Sequence, residues 1–127
     1  MSNKKSILMV EDDHVSRMIV EKTLRDSGID CQMVDNGKDA LDLLREKRFD
    51  IILMDIRLPI LDGIQVTKMI RTDPDFEHIK DIPIIALTAY AMPSDKEKFL
   101  NEGMDDYISK PHYPRDLFKI LDKYGVE

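Results

Sequence analysis

Short apolar stretches alternate with amphipathic stretches along the whole chain. Polar or turn-forming residues bound each apolar stretch, which is the pattern of buried strands in a sheet covered on both faces. The third stretch raises a question, because its apolar run leads straight into the carboxylate of Asp55 and not into a turn-forming residue. The five predicted strands are ILMV (7–10), CQMV (31–34), DIILM (50–54), IPIIAL (82–87) and DYIS (106–109).

The stretches between the strands carry apolar residues at helical spacing, i, i+3 and i+4. Gly28 and Gly103 lie where helices are expected to end in a left-handed residue. The segment SDKE (94–97) is a capping box and predicts a helix that begins at about residue 94. The sets that share a helical face are Val15, Met18 and Ile19; Ala40, Leu43 and Leu44; Val66, Met69 and Ile70; and Leu117, Ile120, Leu121 and Tyr124.

Strand and helix therefore alternate five times, which predicts an α/β fold with a doubly wound parallel sheet. Five such units in 127 residues suit a flavodoxin-like sheet of strand order 2-1-3-4-5 with five helices. We expect a single domain over residues 5–124, with short tails at residues 1–4 and 125–127.

Composition narrows the functions that this domain can have. The net charge is -6, so neither a nucleic acid nor an anionic membrane is expected as a partner. The single cysteine, Cys31, excludes an internal disulfide and fits a reducing compartment. No apolar run is long enough to cross a bilayer and the N-terminus has no signal-peptide layout, so we expect a cytoplasmic protein.

Polar side chains of complementary chemistry stand at the ends of four predicted strands. Acidic residues 11–13 follow strand 1 and Asp55 follows strand 3, while Thr88 and Lys110 stand at the ends of strands 4 and 5. In a sheet of this order, ligands bind at the carboxyl ends of the strands, where the strand order reverses between strands 1 and 3. We therefore expect these side chains to meet at one edge of the sheet.

Such a cluster has a definite chemistry. Neighbouring carboxylates raise one another's pKa unless a cation neutralises them, and an all-oxygen cluster suits Mg²⁺. A lysine and a hydroxyl beside the metal would position a phosphoryl group, for which a carboxylate can be the nucleophile. Taken singly, Asp13 is explained equally well as a helix N-cap, Thr88 as a β-forming residue and Lys110 as a solvated cation. Their convergence on one edge favours phosphoryl transfer.

Four longer motifs carry a resemblance to a known family. They are ILMVEDD (7–13), DIILMDIRLPILDG (50–63), IIALTAYA (84–91) and GMDDYISKP (103–111). With them the chain resembles the response-regulator receiver domain of two-component and phosphorelay signalling, over about residues 5–124. The resemblance implies a phosphorylation-dependent switch that catalyses only its own phosphotransfer and dephosphorylation, and not an enzyme in the usual sense.

The resemblance also implies a magnesium site. Glu11 and Asp12 match the acidic pair that binds the metal, with Asp55 and the main-chain carbonyl of Arg57 as the further ligands. Glu11 stands where aspartate is more usual, and its longer side chain favours a contact with the metal through a water molecule.

The same resemblance assigns the phosphoryl chemistry and the switch. Asp55 matches the phosphoacceptor, Lys110 the lysine that contacts the phosphoryl group, Thr88 the switch hydroxyl and Tyr107 the switch aromatic residue. It further implies a cis peptide bond between Lys110 and the following proline.

Two large residues, Arg57 and Tyr90, flank the phosphoryl position in the family. Because both could obstruct an attacking water molecule, we predict a relatively long-lived phosphorylated form.

The implied partners are proteins. A histidine kinase or a histidine phosphotransfer protein would donate the phosphoryl group, and a downstream protein would recognise the face formed by helix 4, strand 5 and helix 5. A flavin carrier on this fold would need a loop rich in Ser, Thr and Gly after strand 1, where this chain has acids. The chain also lacks the GxxxxGK[ST] motif of P-loop hydrolases. A non-phosphorylated interaction module on the same fold is the remaining alternative, although the intact site residues argue against it.

Overall fold

The computed structural model describes residues 5–89, 93–110 and 114–126. In chain order the strands are β1 (Ser6–Val10), β2 (Asp30–Val34), β3 (Ile51–Asp55), β4 (Ile84–Thr88) and β5 (Asp106–Ser109). The helices are α1 (His14–Asp26), α2 (Gly37–Glu46), α3 (Gly63–Thr72), α4 (Pro93–Asn101) and α5 (Pro114–Lys123). A 3₁₀ helix at Pro74–Ile79, which the sequence pattern did not predict, lies between α3 and β4.

The strands form one parallel sheet in the order β2-β1-β3-β4-β5, which confirms the predicted topology. β3 is the central strand, and all five of its residues are buried. The prediction placed strands 3 and 4 at 50–54 and 82–87, whereas they run to Asp55 and Thr88. The register pairs Asp55 with Leu87 of β4, so both strands deliver their last side chains to the same edge of the sheet.

The core has two layers, one on each face of the sheet. Successive residues of a strand point to opposite faces. Ile52 and Met54 of β3 therefore pack with residues from α2, α3 and α4, while Ile51 and Leu53 pack with residues from α1 and α5. Helices on both faces explain why β3 is apolar at every position except its last.

The three apolar residues that predicted α1 lie on this helix, but they do not face the core. Val15, Met18 and Ile19 share a face, but they are 60%, 57% and 46% exposed. The helix is instead packed through Val20 and Leu24. Helical spacing shows which residues share a face, but not which of two partly apolar faces meets the sheet.

Two predicted helix ends and the predicted start of α4 are confirmed, since α4 begins at Pro93, but the predicted capping role of Ser94 is wrong. Gly28 and Gly103 have φ values of +75° and +104°, as expected of left-handed residues that end helices. Ser94 is not a cap, because it is the second residue of α4. A capping box occurs instead at the start of α3, between Asp62 and Gln65.

The far end of the chain packs against the domain, since Val126 is buried and its N–H donates to the carbonyl of Leu121 at 2.9 Å. The predicted bounds of the domain, 5–124, stay a prediction. Of the helices in the described ranges, none is long and apolar enough to span a membrane.

Candidate functional site

The charged strand ends meet at the carboxyl edge of the sheet. The Nζ atom of Lys110 lies 2.9 Å from Oε1 of Glu11 and 3.3 Å from Oδ1 of Asp55. The N–H of Lys110 donates to the carbonyl of Thr88 at 2.8 Å, which holds the end of β5 beside the end of β4. The structure thus brings together residues that are separated by up to about a hundred positions in the sequence.

Main-chain hydrogen bonds fix these residues from behind. The N–H of Glu11 donates to the carbonyl of Val34 at 3.0 Å, which extends the pairing of β1 with β2 by one residue. On the other side of the cluster, the N–H of Ile56 donates to the carbonyl of Leu87 at 3.2 Å. Glu11 and Asp55 are consequently held on extended, paired backbone and not on a loose loop.

Three carboxylates at this edge could hold a metal ion. One oxygen each from Glu11, Asp12 and Asp55 lies within 4.8 Å of the other two. Glu11 is fully buried, Asp55 is 3% exposed and Asp12 is exposed, so the cluster opens to solvent on one side. A set of only oxygen donors, crowded and open on one side, fits a hard divalent cation that keeps some of its waters.

The electrostatics of the cluster agree with that chemistry. Burial, a hydrogen bond with the Glu11 carboxyl and the charge of Glu11 raise the pKa of Asp55 to about 8, although Lys110 opposes the rise. Burial alone would lower the pKa of Lys110, but Glu11 and Asp55 outweigh it and leave that pKa raised. One lysine between two acids leaves the edge with an excess of negative charge.

Asp13 does not belong to this cluster. Its side chain accepts from the N–H and the hydroxyl of Ser16, at 3.3 Å and 2.8 Å, and caps the start of α1. Between the two explanations that the sequence left open, the structure therefore selects the helix cap.

Two residues that the sequence pattern did not single out shape the site. Nη1 of Arg17, on α1, donates to the carbonyl of Glu11 at 2.8 Å and ties the helix to the acidic loop. Gly63 packs so closely on the carbonyl of Asp55 that a Cβ atom there would overlap it. The Asp-Gly pair at 62–63 was a usable signal for a tight approach, whereas nothing in the spacing of Arg17 distinguished it from a solvated cation.

A cleft of about 310 Å³ adjoins the cluster. Its lining includes Asp55, Arg57, Thr88 and Lys110 near the ends of the strands, and Asp95, Lys98 and Phe99 of α4. The main-chain N–H of Arg57 donates to Oδ1 of Asp55 at 3.2 Å, and the Arg57 side chain is exposed. Thr88, at the end of β4, is buried.

Tyr107 lies away from this cleft. It is half-buried on β5, beside Ala86 of β4, and lines a separate groove between α4 and α5. The Nζ atom of Lys96, on α4, lies 5.6 Å from the centre of its ring, which is within cation–π range. Tyr90 and the peptide bond after Lys110 lie outside the described residues, so the predictions about them stay predictions.

Comparisons with known proteins agree with this site. A family model described as the response regulator receiver domain matches residues 7–122. The polar-differentiation response regulator DivK of Brucella anthropi is 43% identical over 122 residues, which cover 95% of this chain and 97% of DivK. Hybrid signal transduction histidine kinase I of Dictyostelium discoideum is 40% identical over 121 residues, but the match spans only 7% of that protein. Similar sequences thus occur both as whole proteins and as small parts of large kinases.

Solved structures give the same picture. The receiver domain of sensor histidine kinase PA1611 from Pseudomonas aeruginosa superposes with a TM-score of 0.83 at 40% identity, over 95% of this chain and 97% of that one. That structure has a magnesium ion in its active-site cleft. The receiver domain of Ssk1 from Saccharomyces cerevisiae, solved with the histidine phosphotransfer protein Ypd1, gives a TM-score of 0.86 at 33% identity, over 96% and 89%.

Proposed function

The chain belongs to the response regulator receiver family, and we propose from this that it accepts a phosphoryl group on Asp55 and transmits the change to a protein partner. The observation that carries the proposal is the position of Lys110 between Asp55 and Glu11. A carboxylate, a cation and a buried acid at one edge of a sheet are the groups that phosphoryl transfer to an aspartate requires.

The transfer uses these groups in a simple way. An Oδ atom of Asp55 attacks the phosphorus of a phosphohistidine, the bond from phosphorus to the imidazole nitrogen breaks, and its electron pair leaves with the imidazole. Lys110 favours the ionised form of Asp55 and, with the hydroxyl of Thr88, neutralises the phosphoryl oxygens. Glu11, Asp12, Asp55 and the carbonyl of Arg57 would hold Mg²⁺, which when bound supplies positive charge to the carboxylates and the phosphoryl group.

Phosphorylation then acts through charge. The phosphoryl group adds acceptor oxygens beside Thr88, so this hydroxyl moves toward it. Tyr107 turns into the space that Thr88 leaves and gives up its contact with Lys96, which changes the face formed by α4, β5 and α5. A protein partner that prefers one state of this face receives the signal.

A change of Tyr107 separates the switch from the chemistry. Tyr107→Ala is expected to leave phosphorylation of Asp55 intact and to weaken the preference of a bound partner for the phosphorylated form. A pull-down with and without beryllofluoride and Mg²⁺ measures that preference. Loss of phosphorylation itself in this variant would count against the switch assignment.

The donor is a histidine kinase or a histidine phosphotransfer protein. The complex of Ypd1 with the receiver of Ssk1 offers a precedent in a related domain. α1 begins directly after the acidic residues, and its exposed Val15, Met18 and Ile19 offer an apolar surface beside the site for such a donor. We place this exchange in the cytoplasm and expect neither a nucleic acid nor a membrane as a partner.

The lifetime of the phosphorylated form is set by access of water to the phosphorus. Arg57 lines the cleft beside Asp55 and, together with Tyr90, would obstruct an attacking water molecule. Arg57→Ala and Tyr90→Ala are therefore expected to release phosphate faster than the parent. Phosphate release from both variants at a rate no faster than the parent's would contradict this part of the proposal.

The direct test is phosphorylation by a small donor. With phosphoramidate and Mg²⁺, the parent is expected to gain the mass of one phosphoryl group, and hydroxylamine should remove it as it does from an acyl phosphate. Asp55→Asn should gain none, whereas Asp106→Asn, which changes another buried carboxylate of the sheet, should still be labelled. A parent that stays unlabelled would favour the non-phosphorylated interaction module.

A further inference from the structure

Ile60 occupies an unusual backbone conformation. Its φ is +69°, and it is the one residue other than glycine with a positive φ among residues 5–89, 93–110 and 114–126. The N–H of Leu61 donates to the carbonyl of Pro59 at 2.8 Å, so Ile60 is the central residue of a γ-turn of the rare, strained hand. A β-branched side chain in this conformation is a genuine outlier.

The same residue is exposed to solvent. Ile60 is 88% exposed, more than any other large hydrophobic residue among the described ranges. Its neighbours Leu58 and Leu61 behave differently, because both are partly buried and pack against the core. The turn therefore directs the first and third apolar residues of the loop inward and holds the middle one away from the domain.

These two features together require an explanation. A single exposed isoleucine is ordinary, and so is a left-handed residue at a loop tip when it is glycine or asparagine. Glycine at position 60 would remove both the strain and the exposed apolar surface. Isoleucine at this position is both strained and exposed, and it makes no contact with the core. We therefore expect it to contact something outside the domain.

The position of the turn indicates what lies outside. Ile60 is in the loop that joins Asp55 to α3, and the N–H of Gly63 closes that loop by donating to the carbonyl of Ile56 at 3.0 Å. Gly63 also packs on the carbonyl of Asp55 itself. This loop leaves the sheet directly after Asp55, so it borders the approach of a protein that brings a phosphohistidine to Asp55, whereas a small phosphodonor needs no contact with it.

We propose that Ile60 is an apolar anchor for the phosphohistidine-bearing protein that phosphorylates Asp55, held out by its strained turn. This inference rests on the proposed function. It adds a contact on the α3 side of Asp55 to the α1 surface, so the donor is bound on both sides of the phosphoacceptor. A short, exposed apolar residue that fills a pocket on a partner is a common form of interface anchor.

The test separates strain from binding with three variants. Ile60→Gly removes the anchor and relieves the strain, and Ile60→Asn removes the anchor alone, whereas Ile60→Val keeps both the apolar side chain and the strain. Leu100→Gln, on α4, is the control for loss of an exposed apolar residue elsewhere. Melting temperature reports the strain, and we expect Ile60→Gly to melt about 2–5 °C above the parent.

Two donors report the binding. Phosphoramidate should phosphorylate all four variants at the parent's rate. The protein donor is the member of a panel of phosphorylated histidine phosphotransfer proteins, Ypd1 included, that transfers fastest to the parent. Transfer from it should fall roughly tenfold in Ile60→Gly and Ile60→Asn, which corresponds to about 1.4 kcal/mol, and should stay unchanged in Ile60→Val and Leu100→Gln.

Each other outcome has a definite meaning. Parent-like transfer from the protein donor to Ile60→Gly would overturn the inference, and so would an equal loss in Leu100→Gln. A panel in which no protein transfers to a parent that phosphoramidate does label would also contradict it. Failure of phosphoramidate to label the parent would instead contradict the proposed function. If Ile60→Gly only abolishes self-association, measured by sedimentation, the anchor serves a second copy of the chain and the inference is wrong.

Discussion

Two buried carboxylates of the same sheet have opposite surroundings. Asp55, at the carboxyl edge, is 3% exposed and shares the cation of Lys110 with Glu11. Asp106, at the opposite end of β5, is 8% exposed and has Nζ of Lys123 at 2.7 Å and the hydroxyl of Tyr124 at 3.2 Å. Burial raises the pKa of both, but in Asp106 the hydrogen bonds from Lys123 and the main chain prevail and lower it.

The difference separates a binding site from a structural contact. The charge of Asp106 is balanced within the protein, and its partners join the last turn of α5 to β5. The charge of Asp55 is not balanced, because Glu11 competes for the same lysine and raises the Asp55 pKa to about 8. A protein retains such an imbalance where a cation or a positively polarised reactant completes the site.

The largest expected effect tests how rigidly Asp55 is held. Gly63→Ala places a Cβ atom against the carbonyl of Asp55, so the free energy of unfolding should fall by about 3 kcal/mol and labelling by phosphoramidate should be largely lost. Gly125→Ala is the control, because its φ is +71° but nothing lies within 4 Å of an added Cβ. Urea unfolding measures both variants. Equal stability losses, with labelling retained, would show that Asp55 is not fixed by this contact.

The second expected effect is a change in the free energy of unfolding with pH, in the metal-free protein. The folded pKa of Asp55, about 8, lies above its unfolded value of 3.8, so the folded state binds the extra proton. The stability that this group contributes is full below about pH 4 and is lost as the pH rises toward 8. Between about pH 6.5 and 8 the parent should lose about 2 kcal/mol more than Asp55→Asn does, measured by urea unfolding in a chelator.

The contribution of Asp106 to stability changes with pH in the opposite direction. Its folded pKa is lowered, so its contribution is present above the unfolded value and is lost as the pH falls through the folded one. Parallel pH profiles for the parent and Asp55→Asn would remove the distinction between the two carboxylates.

The smallest effect concerns the balanced carboxylate. Asp106→Asn should lower the free energy of unfolding by about 1 kcal/mol at pH 7, because Lys123 is largely exposed and water replaces part of the contact. Asp55→Asn should not destabilise the metal-free protein at that pH, since the folded Asp55 carboxyl, with its pKa raised to about 8, is already mostly uncharged there. Thermal melts of both variants in chelator give the comparison, and destabilisation of equal size would contradict it.

The sequence predicted the topology because each strand is a short apolar run bounded by polar or turn-forming residues. Five apolar runs separated by helical periods leave few arrangements for a parallel sheet, and the end of each run located a site residue at its edge. The positions of Glu11, Asp55 and Lys110 followed from the order of the strands alone. Their assignment to phosphoryl chemistry came from the resemblance, since geometry by itself makes only an acidic cluster beside a lysine.

Other features could not be predicted because they depend on packing between distant segments. The exposed face of α1 is as apolar as a core face, and only the fit against β1 and β2 decides which side is buried. Arg17 and Gly63 matter through contacts with main-chain carbonyls, which no side-chain pattern records. The sequence also gives no indication of the strained turn at Ile60, because β-branched residues such as isoleucine very rarely have a positive φ.

The way the site is divided among the strands has a consequence for synthesis of the protein. Glu11, Asp55, Thr88 and Lys110 lie at the ends of four separate strands, so a fragment that lacks either β1 or the end of β5 does not hold the complete site. Lys110 is added only after the first four strands have been made, and the sheet must then pair across long sequence separations. A nascent or partly unfolded chain therefore lacks the full set of groups that the proposed phosphorylation would use. Under that proposal, the protein accepts a phosphoryl group only after β5 has paired with the rest of the sheet.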